Sequence, residues 1–346
     1  MNTAVRIKGK LHRIKEKVQK KFSSQSLILM YHRVGEDDID PWSLRVTPEH
    51  FAEHLQVLKQ HTRSQSLKEL ATAHEAGTIR DRAVAITFDD GYANNLHFAK
   101  PLLEKYEIPA TVFVATEYLE QPKEFWWDEL ERILLQSVKL PEKLTLTVNG
   151  QQHQWELKEA SYSQSEAWQN RHHQADRSQP GSRLHFYYCV WQQLQPLTPA
   201  QRQPLLEQIK AWANYEAAAP RLSHRPLTIA ELPQIERGGI IELGAHTVSH
   251  PLLSEQSVAV QQEEIQQSKQ HLERLLDRPV DSFAYPFGAY RAETVPLVKE
   301  AGFKYACSTV ETTVWQKSDR WQLPRFEVRD WDKAEFERRL LSWFNN

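Results

Sequence analysis

Short apolar runs alternate with helical patterns along much of this 346-residue chain, and this alternation restricts its fold more than any other feature. The apolar runs have the length and composition of buried strands. They lie at residues 27–31, 83–88, 110–116 and 240–244. Amphipathic helical patterns stand between or after them, for example at residues 47–61, 227–239 and 260–276. Because strands joined by helices usually pair in parallel within one covered sheet, the sequence predicts an α/β fold.

Two segments do not follow the alternation. Residues 120–225 are rich in Gln, Trp and charged residues, and the alternating stretch 144–157 contains Asn149-Gly150, which predicts a β-hairpin. We interpret residues 120–225 as an insertion subdomain and a candidate lid, within a main domain formed by residues 27–119 and 226–346.

Residues 5–22 carry eight Lys or Arg and one Glu, with apolar residues at helical spacing. They predict a basic amphipathic helix within residues 1–26, which is either a weak anchor to anionic lipid or a solvated tail.

The composition excludes several classes of protein. Charged residues make up 25% of the chain and the net charge is −2, without the basic surplus of a nucleic-acid-binding protein. The two cysteines imply no disulfide framework, and no apolar run approaches the roughly 20 residues that span a bilayer. Because the N-terminus lacks the apolar core of a secretion signal, we expect a cytoplasmic protein, either free or peripheral at the cytoplasmic membrane face through residues 5–22.

Two adjacent acids, Asp89 and Asp90, follow the predicted strand 83–88 and precede a glycine. In its simplest interpretation, an acid pair at this position marks a turn, because Asp tolerates turn geometry and bonds its own backbone. In a second interpretation, one acid binds a metal ion and the other acts as a general base.

A histidine pair, His246 and His250, follows the predicted strand 240–244. The spacing lets both imidazoles reach one ion, but about 0.6 such pairs arise by chance in a chain with 15 His. A second pair, His50 and His54, lies in the middle of a predicted helix, and we interpret it as a decoy. Functional residues of a parallel barrel gather at the carboxyl ends of its strands, so Asp90, His246 and His250 are predicted to meet there. Two imidazoles and one carboxylate leave positions for water or substrate on a metal ion.

The motifs TFDDGY (residues 87–92), HTVSH (246–250) and YPFG (285–288) resemble successive motifs of the polysaccharide deacetylase family, also called carbohydrate esterase family 4 or NodB-like. The resemblance covers residues 27–119 and 226–328. It implies a distorted (β/α)7-type barrel with a large mixed α/β insertion. It also implies metal-dependent removal of N-acetyl groups from an N-acetylated sugar or glycan precursor. By position, Asp89 resembles the catalytic base, and Asp90, His246 and His250 resemble the ligands of a divalent metal. Zn²⁺ is the usual ion, and Co²⁺ or Ni²⁺ also suit these ligands.

The sequence departs from the family pattern at two places. Ala284 stands where many members have an Arg that orients the catalytic Asp. Arg325 is the candidate substitute, since an Arg can brace a carboxylate through two hydrogen bonds; the alternative is a surface Arg. No late His motif is found that would supply the general acid. His32, which follows the first strand, is predicted to take this role in a permuted motif order, and the alternative is a structural His at a strand end.

Several residues are candidates for contact with substrate. The backbone N–H near Tyr92 would help to hold the oxyanion, and Tyr285, Pro286 and Phe287 are predicted to line the pocket or to pack beneath it. Trp126 and Trp127 either stack on sugar rings or, the favoured interpretation, anchor the insertion. Asp128 and Glu129 are interpreted as solvated helix charges. Cys307 is interpreted as buried filler rather than a nucleophile.

The function predicted from these residues is that of a carbohydrate N-deacetylase with an N-acetylated carbohydrate as substrate and without a nucleic-acid partner. Two alternatives remain open at this point. The same metal chemistry would serve an O-acetyl esterase or another amide hydrolase. A non-catalytic carbohydrate-binding protein on the same fold is the second alternative, which the Ala284 departure favours.

Overall fold

The computed structural model of the chain describes residues 19–20, 23–36, 39–120, 123–158, 174–216 and 218–345. The predicted basic helix over residues 5–22 lies almost entirely outside the described residues. The strands are β1 (Ser26–Tyr31), β2 (Arg33–Val34), β3 (Arg45–Val46), β4 (Arg63–Ser64), β5 (Ala83–Phe88), β6 (Ala110–Val114), β7 (Lys143–Val148), β8 (Gln151–Glu156), β9 (Ile241–Ala245), β10 (Ser282–Ala284), β11 (Tyr305–Cys307) and β12 (Phe326–Glu327). The helices are α1 (Pro48–His61), α2 (Leu67–Glu75), α3 (Lys100–Tyr106), α4 (Trp126–Leu135), α5 (Arg183–Leu194), α6 (Pro199–Trp212), α7 (Leu232–Glu236), α8 (Val258–Leu276), α9 (Thr294–Glu300) and α10 (Lys333–Asn345).

A curled sheet of seven parallel strands forms a half-barrel in the order β11-β10-β9-β6-β5-β1-β12, and the short strand β4 pairs with β5 beside it. Its central strands are buried along their whole length, for example the six residues of β5. Strands covered on both faces read as continuous apolar runs, which is why the runs were visible in the sequence. The predicted α/β fold with a barrel-type parallel sheet is confirmed.

Local sequence signals start the helices that cover the sheet. Thr47 caps α1 by accepting a hydrogen bond from the backbone N–H of His50, with Pro48 in the first turn. Ser66 and Glu69 form a reciprocal capping box at the start of α2. The helix predicted over residues 227–239 is shorter than expected: only a single turn and α7 form, before two glycines with positive φ, Gly238 and Gly239.

The insertion has a hydrophobic core of its own. Apolar side chains of α4, α5, α6 and the hairpin pack together apart from the core between the sheet and its helices. The predicted hairpin is present: β7 and β8 pair antiparallel, and Asn149 and Gly150 have positive φ at the turn. Among the described residues, no helix combines the length and the apolar character that crossing a membrane requires.

Candidate active site

The acid pair lies on a tight loop at the carboxyl end of β5. The backbone N–H of Asp89 donates to the carbonyl of Tyr31 on the neighbouring strand, at 2.9 Å. Asp90 and Gly91 both have positive φ, of 70° and 74°. A Cβ at Gly91 would lie 2.6 Å from a methyl carbon of Val114, so only glycine fits there. This turn brings two carboxylates that are only 3% and 5% exposed to the same end of the sheet.

The histidine pair lies on a loop at the carboxyl end of β9, two strands away from β5. The backbone N–H of His246 donates to the carbonyl of Val114 on β6, at 2.9 Å. Thr247 and His250 have positive φ, and the Thr247 hydroxyl accepts from the N–H of His250 at 3.1 Å. Glu264 on α8 holds the loop between them: its carboxylate accepts from both backbone N–H groups of Val248 and Ser249, at 2.8 and 2.9 Å, and from the Ser249 hydroxyl.

The two loops bring Asp90, His246 and His250 together, as predicted. Asp90 Oδ1 lies 3.1 Å from Nε2 of His250 and 3.6 Å from Nε2 of His246. The two Nε2 atoms are 3.2 Å apart. One ligand atom from each of the three residues lies within 4.8 Å of the others, and all three side chains are buried.

This donor set fits a divalent metal ion. Nδ1 of His246 lies 2.8 Å from the carbonyl oxygen of Ala284, and a hydrogen bond there leaves the lone pair of Nε2 free to face the site. Burial lowers the pKa of His246 to about 4, so its imidazole is neutral near pH 7, as a metal ligand must be. Two imidazoles and a carboxylate on one side leave the remaining positions open. The ligand roles of these three residues stay predictions.

Asp89 is held by a buried guanidinium. Arg325 donates to Oδ1 and Oδ2 of Asp89 at 2.7 Å each, and its Nε donates to the Ser308 carbonyl at 2.9 Å. Arg325 is 0% exposed, so it is not the surface Arg of the alternative interpretation. Burial alone would raise the pKa of Asp89, but the charge of Arg325 holds that pKa well below its usual range. Arg325 directly precedes β12 and supplies the guanidinium that the alanine at position 284 cannot.

A cavity of about 480 Å³ opens over these groups. His32, Asp89, Asp90, His246 and His250 all line it, so the structure places the candidate general acid at the same site. The volume lies within the range of small-molecule sites, about 300–1,000 Å³. His32 is partly exposed at the end of β1, and its role as an acid stays a prediction.

Three of the four residues predicted to bind substrate do not line this cavity. The ring of Tyr92 is buried, and its hydroxyl donates to Asp128 at 2.8 Å. Tyr285 is buried as well, with its hydroxyl bonded to the Trp321 carbonyl, and Pro286 is buried at the start of the following turn. These side chains pack in the core, which agrees with the alternative that Tyr285 and Pro286 pack beneath the pocket; the contact predicted at Tyr92 is through its backbone N–H, and it stays a prediction. Phe287 does line the cavity and is 36% exposed.

The first turn of α4 corrects another interpretation. Asp128 is 6% exposed and not solvated, and burial raises its pKa well above the usual range. Trp127 donates to the same Tyr92 hydroxyl at 2.9 Å, while its ring lines the cavity 4.8 Å from the ring of His250. Trp127 therefore anchors the insertion, as the favoured interpretation holds, and also lines the site; its stacking on a sugar ring stays a prediction. Glu129 is partly buried and pairs with Lys210 at 2.7 Å.

Two other clusters contain metal-ligand side chains. Asp128, Glu131 and His224 are buried with ligand atoms close together, but Arg221 donates to Glu131 at 3.1 Å and supplies positive charge there. We interpret this cluster as an internal ion network.

The second i,i+4 histidine pair, interpreted above as a decoy, has structural contacts. His50 lies 2.8 Å from a carboxylate oxygen of Asp330, and His54 is buried with Nε2 2.7 Å from the Trp331 carbonyl.

Sequence reasoning missed several residues at the site, among them Glu264, Trp42 and Trp191. Glu264 stands in the middle of a charged amphipathic helix, and nothing in that pattern marks it as the residue that holds the histidine loop. Trp42 and Trp191 line the cavity from distant parts of the chain. The high Trp content of the insertion, noted above, was the only available signal for Trp191. Cys307 is buried, and burial raises the pKa of its thiol to about 12, as expected of a filler.

Comparison with known proteins gives a consistent result. A family model described as polysaccharide deacetylase matches residues 76–143 and 211–306. The poly-β-1,6-N-acetyl-D-glucosamine N-deacetylase of Staphylococcus epidermidis is 34% identical over 111 residues, which cover 28% of this chain and 38% of that protein. The protein of the same name from Staphylococcus aureus (strain MSSA476) is 27% identical over 121 residues, covering 33% and 41%. The chain thus spans about two fifths of the length of these curated relatives.

Solved structures match over nearly the whole chain. The deacetylase PplD of Streptococcus pyogenes, solved in complex with acetate, has 18% identity and a TM-score of 0.57, covering 94% of this chain and 100% of that one. IcaB from Ammonifex degensii has 17% identity and a TM-score of 0.54, covering 93% and 98%. At these identities the likeness concerns the fold.

Proposed function

The chain belongs to the polysaccharide deacetylase family, and on that premise we propose that it is a metal-dependent carbohydrate N-deacetylase. It would hydrolyse the acetamide group of an N-acetylated sugar within a glycan and release acetate and an amino sugar. The observation that carries the proposal is the convergence of Asp90, His246 and His250 beside an Asp89 that Arg325 keeps ionised.

Each residue at the site has a distinct role in the proposed reaction. Asp90, His246 and His250 would hold a divalent ion, most simply Zn²⁺, which supplies Lewis-acid activation of water and of the acetamide carbonyl. Asp89 accepts the proton that the attacking water loses. Arg325 orients Asp89 through one hydrogen bond to each carboxylate oxygen, and each oxygen keeps a further lone pair that can accept a proton.

The departing amine needs a proton as its bond to the acyl carbon breaks. His32 lines the cavity from the end of β1 and is the candidate donor. The backbone N–H near Tyr92 is the candidate stabiliser of negative charge on the carbonyl oxygen. The buried position of the Tyr92 ring supports this, because its bond to Asp128 fixes the backbone of the loop.

Metal content and acetate release test the two halves of the proposal separately. Purified wild-type protein should hold close to one equivalent of zinc by elemental analysis, and His246→Gln should lose it. His50→Gln is the matched control, since it alters a His of the other i,i+4 pair away from the cavity. Equal metal content in both variants would remove the basis of the metal site.

Acetate release should then be measured with N-acetylated and O-acetylated oligosaccharides. We expect release from the N-acetylated set, and loss of turnover with retention of metal in Asp89→Asn. Release from O-acetylated sugars alone would support an esterase instead. An Asp89→Asn protein with unchanged turnover would contradict the role of this residue as base.

A further inference from the structure

A row of aromatic rings leads from the candidate metal centre into the insertion. The ring of Phe287 lies 4.6 Å from that of His250, and the ring of Trp191 lies 6.2 Å from that of Phe287. Trp42 follows at 4.4 Å from Trp191. All three line the cavity. We call Phe287, Trp191 and Trp42 the aromatic row.

The aromatic row is held in place from behind. Trp191 projects from α5, whose other side chains pack in the core of the insertion, and it also stacks on Trp126 at 6.1 Å. Trp42 donates from its indole N–H to the hydroxyl of Tyr187 at 2.9 Å. Both rings are only partly buried. The two Trp rings therefore present a rigid apolar surface to the cavity. Because they are already held in place, little side-chain entropy is lost when a ligand binds.

Phe287 has a backbone conformation that is rare for its type. Its φ is 57° and its ψ is 7°, in the left-handed region that a bulky side chain avoids. The next residue, Gly288, also has positive φ, and a Cβ there would lie 1.9 Å from the Thr309 hydroxyl oxygen. The turn thus keeps a strained residue with a 36% exposed ring beside His250. Backbone strain is often retained at functional sites, and here it holds an apolar ring exposed to solvent. We therefore expect the ring of Phe287 to contact a ligand.

Apart from Met30 and Leu44, the remaining walls of the cavity are polar. The described lining residues include Gln174, Asp176, Gln195, Glu311, Glu327 and Arg329. A ligand that fits both walls has an apolar face and a rim of hydrogen-bonding groups, which is the chemistry of a pyranose ring. Among the carboxylates of this lining, Asp89 pairs with Arg325, Glu327 pairs with Arg329 and Asp90 is a candidate metal ligand. The lining carries two more carboxylates, Asp176 and Glu311. An anionic ligand such as a nucleotide diphosphate would meet repulsion there.

We propose that Trp191 and Trp42 form a second sugar-binding subsite beside the candidate metal centre, reached across Phe287. The substrate class that follows is a neutral or amine-bearing glycan of at least two sugar rings, and not a nucleotide-activated monosaccharide. This inference rests on the proposed function for the reaction at the first ring. It goes further in assigning the insertion a role in selecting the length and the charge of the substrate.

The test compares chain length with and without Trp191. Wild type, Trp191→Ala and Trp191→Phe are assayed with N-acetylglucosamine, with its β-1,4- and β-1,6-linked tetramers, and with UDP-N-acetylglucosamine. We expect wild type to prefer a tetramer, and Trp191→Ala to lower the tetramer-to-monomer ratio of kcat/KM roughly tenfold, through KM, with partial recovery in Trp191→Phe. Trp155→Ala is the matched control, because Trp155 is a partly buried Trp of the same insertion outside the cavity lining, stacked on His153.

Calorimetric binding of the same sugars separates this proposal from the proposed function. Tetramer binding that Trp191→Ala weakens, without acetate release from any sugar, would sustain the subsite and reject the deacetylase. Acetate release with an unchanged tetramer-to-monomer ratio in Trp191→Ala would reject the subsite and sustain the deacetylase. A wild-type preference for UDP-N-acetylglucosamine, or an equal effect of Trp155→Ala, would also overturn the inference.

Discussion

Replacing Arg325 by Met tests how the site keeps Asp89 in place. The substitution retains much of the side-chain volume and removes the charge. In the structure Arg325 is 0% exposed, and the side chain of Asp89 is 5% exposed. The variant therefore leaves a buried carboxylate without its counter-charge and also removes the donors to Ser308 and Thr87.

The expected loss in the free energy of unfolding is large. Removing one partner of a buried ion pair costs about 3–5 kcal/mol. Asp89→Asn combined with Arg325→Met removes the whole pair, and this double variant should regain most of the loss, to within about 2 kcal/mol of wild type. Arg329→Met is the matched control on the same segment. Its ion pair with Glu327 is partly exposed, at 33% and 24%, and should contribute less than about 1 kcal/mol.

The effect should also depend on pH in a defined direction. Although burial alone would raise it, the pKa of Asp89 is held well below the ordinary Asp value of about 3.9 by Arg325. The stabilisation is therefore complete above that ordinary value and is lost as pH falls towards the lower, folded-state pKa. The difference between wild type and Arg325→Met should be largest near neutral pH and should shrink below about pH 4.

Urea unfolding followed by tryptophan fluorescence, with a chelator present to exclude metal effects, measures all four proteins. A loss below about 1 kcal/mol for Arg325→Met would refute the reasoning, since it would mean that the carboxylate finds water or another partner. So would a double variant no more stable than Arg325→Met, because the two side chains would then not be coupled.

Two further predictions concern the loops around the site, and a third concerns His54 on α1. Zinc at 100 times its Kd should raise the free energy of unfolding by about 2.7 kcal/mol in wild type and not in Asp90→Asn, measured by urea unfolding with and without chelator; equal effects would contradict the ligand role. Glu264→Ala should weaken zinc binding roughly 10- to 100-fold in competition with a chromophoric chelator, with Glu263→Ala, which is exposed on the same helix, as the unaffected control. Burial lowers the pKa of His54 from 6.5 to about 4, so this group stabilises the fold fully above pH 6.5 and loses that contribution as pH falls towards 4. His54→Gln should therefore reduce the wild-type loss of stability between pH 6.5 and 4 by about 3 kcal/mol, and an unchanged slope would contradict this.

The fold was open to prediction because its strands are buried on both faces. The run 83–88 was visible as β5 because neither face of that strand needs a polar residue. The turn at Asn149-Gly150 was equally clear, since few residue pairs accept positive φ twice. The helix at residues 227–239 was overestimated, because the backbone leaves helical geometry at Arg237, before Gly238 and Gly239 with their positive φ.

The candidate metal ligands were predictable from their position at strand ends, which meet in a parallel sheet. Arg325 was a candidate because Ala284 replaces the Arg of the family motif and another Arg can brace a carboxylate through two hydrogen bonds. It was harder to predict whether a side chain near the site lines the cavity or is buried in the core. Tyr92 and Tyr285 stand within the motif stretches themselves, yet their rings point away from the cavity, and no pattern in the sequence distinguishes the two directions. Trp42 and Trp191 contact each other only because the insertion folds over the barrel, and local periodicity carries no information about such a distant contact.

The hydrogen bond between Tyr92 and Asp128 has a consequence for anyone who would build chimeras of this family. It ties the first turn of α4, which belongs to the insertion by sequence, to the loop that carries Asp89 and Asp90. A foreign insertion joined at residue 120 would remove Asp128 and its hydrogen bond to Tyr92, which supports that loop. A junction beyond Leu135 would keep this hydrogen bond and still allow α5, α6 and the hairpin to be exchanged.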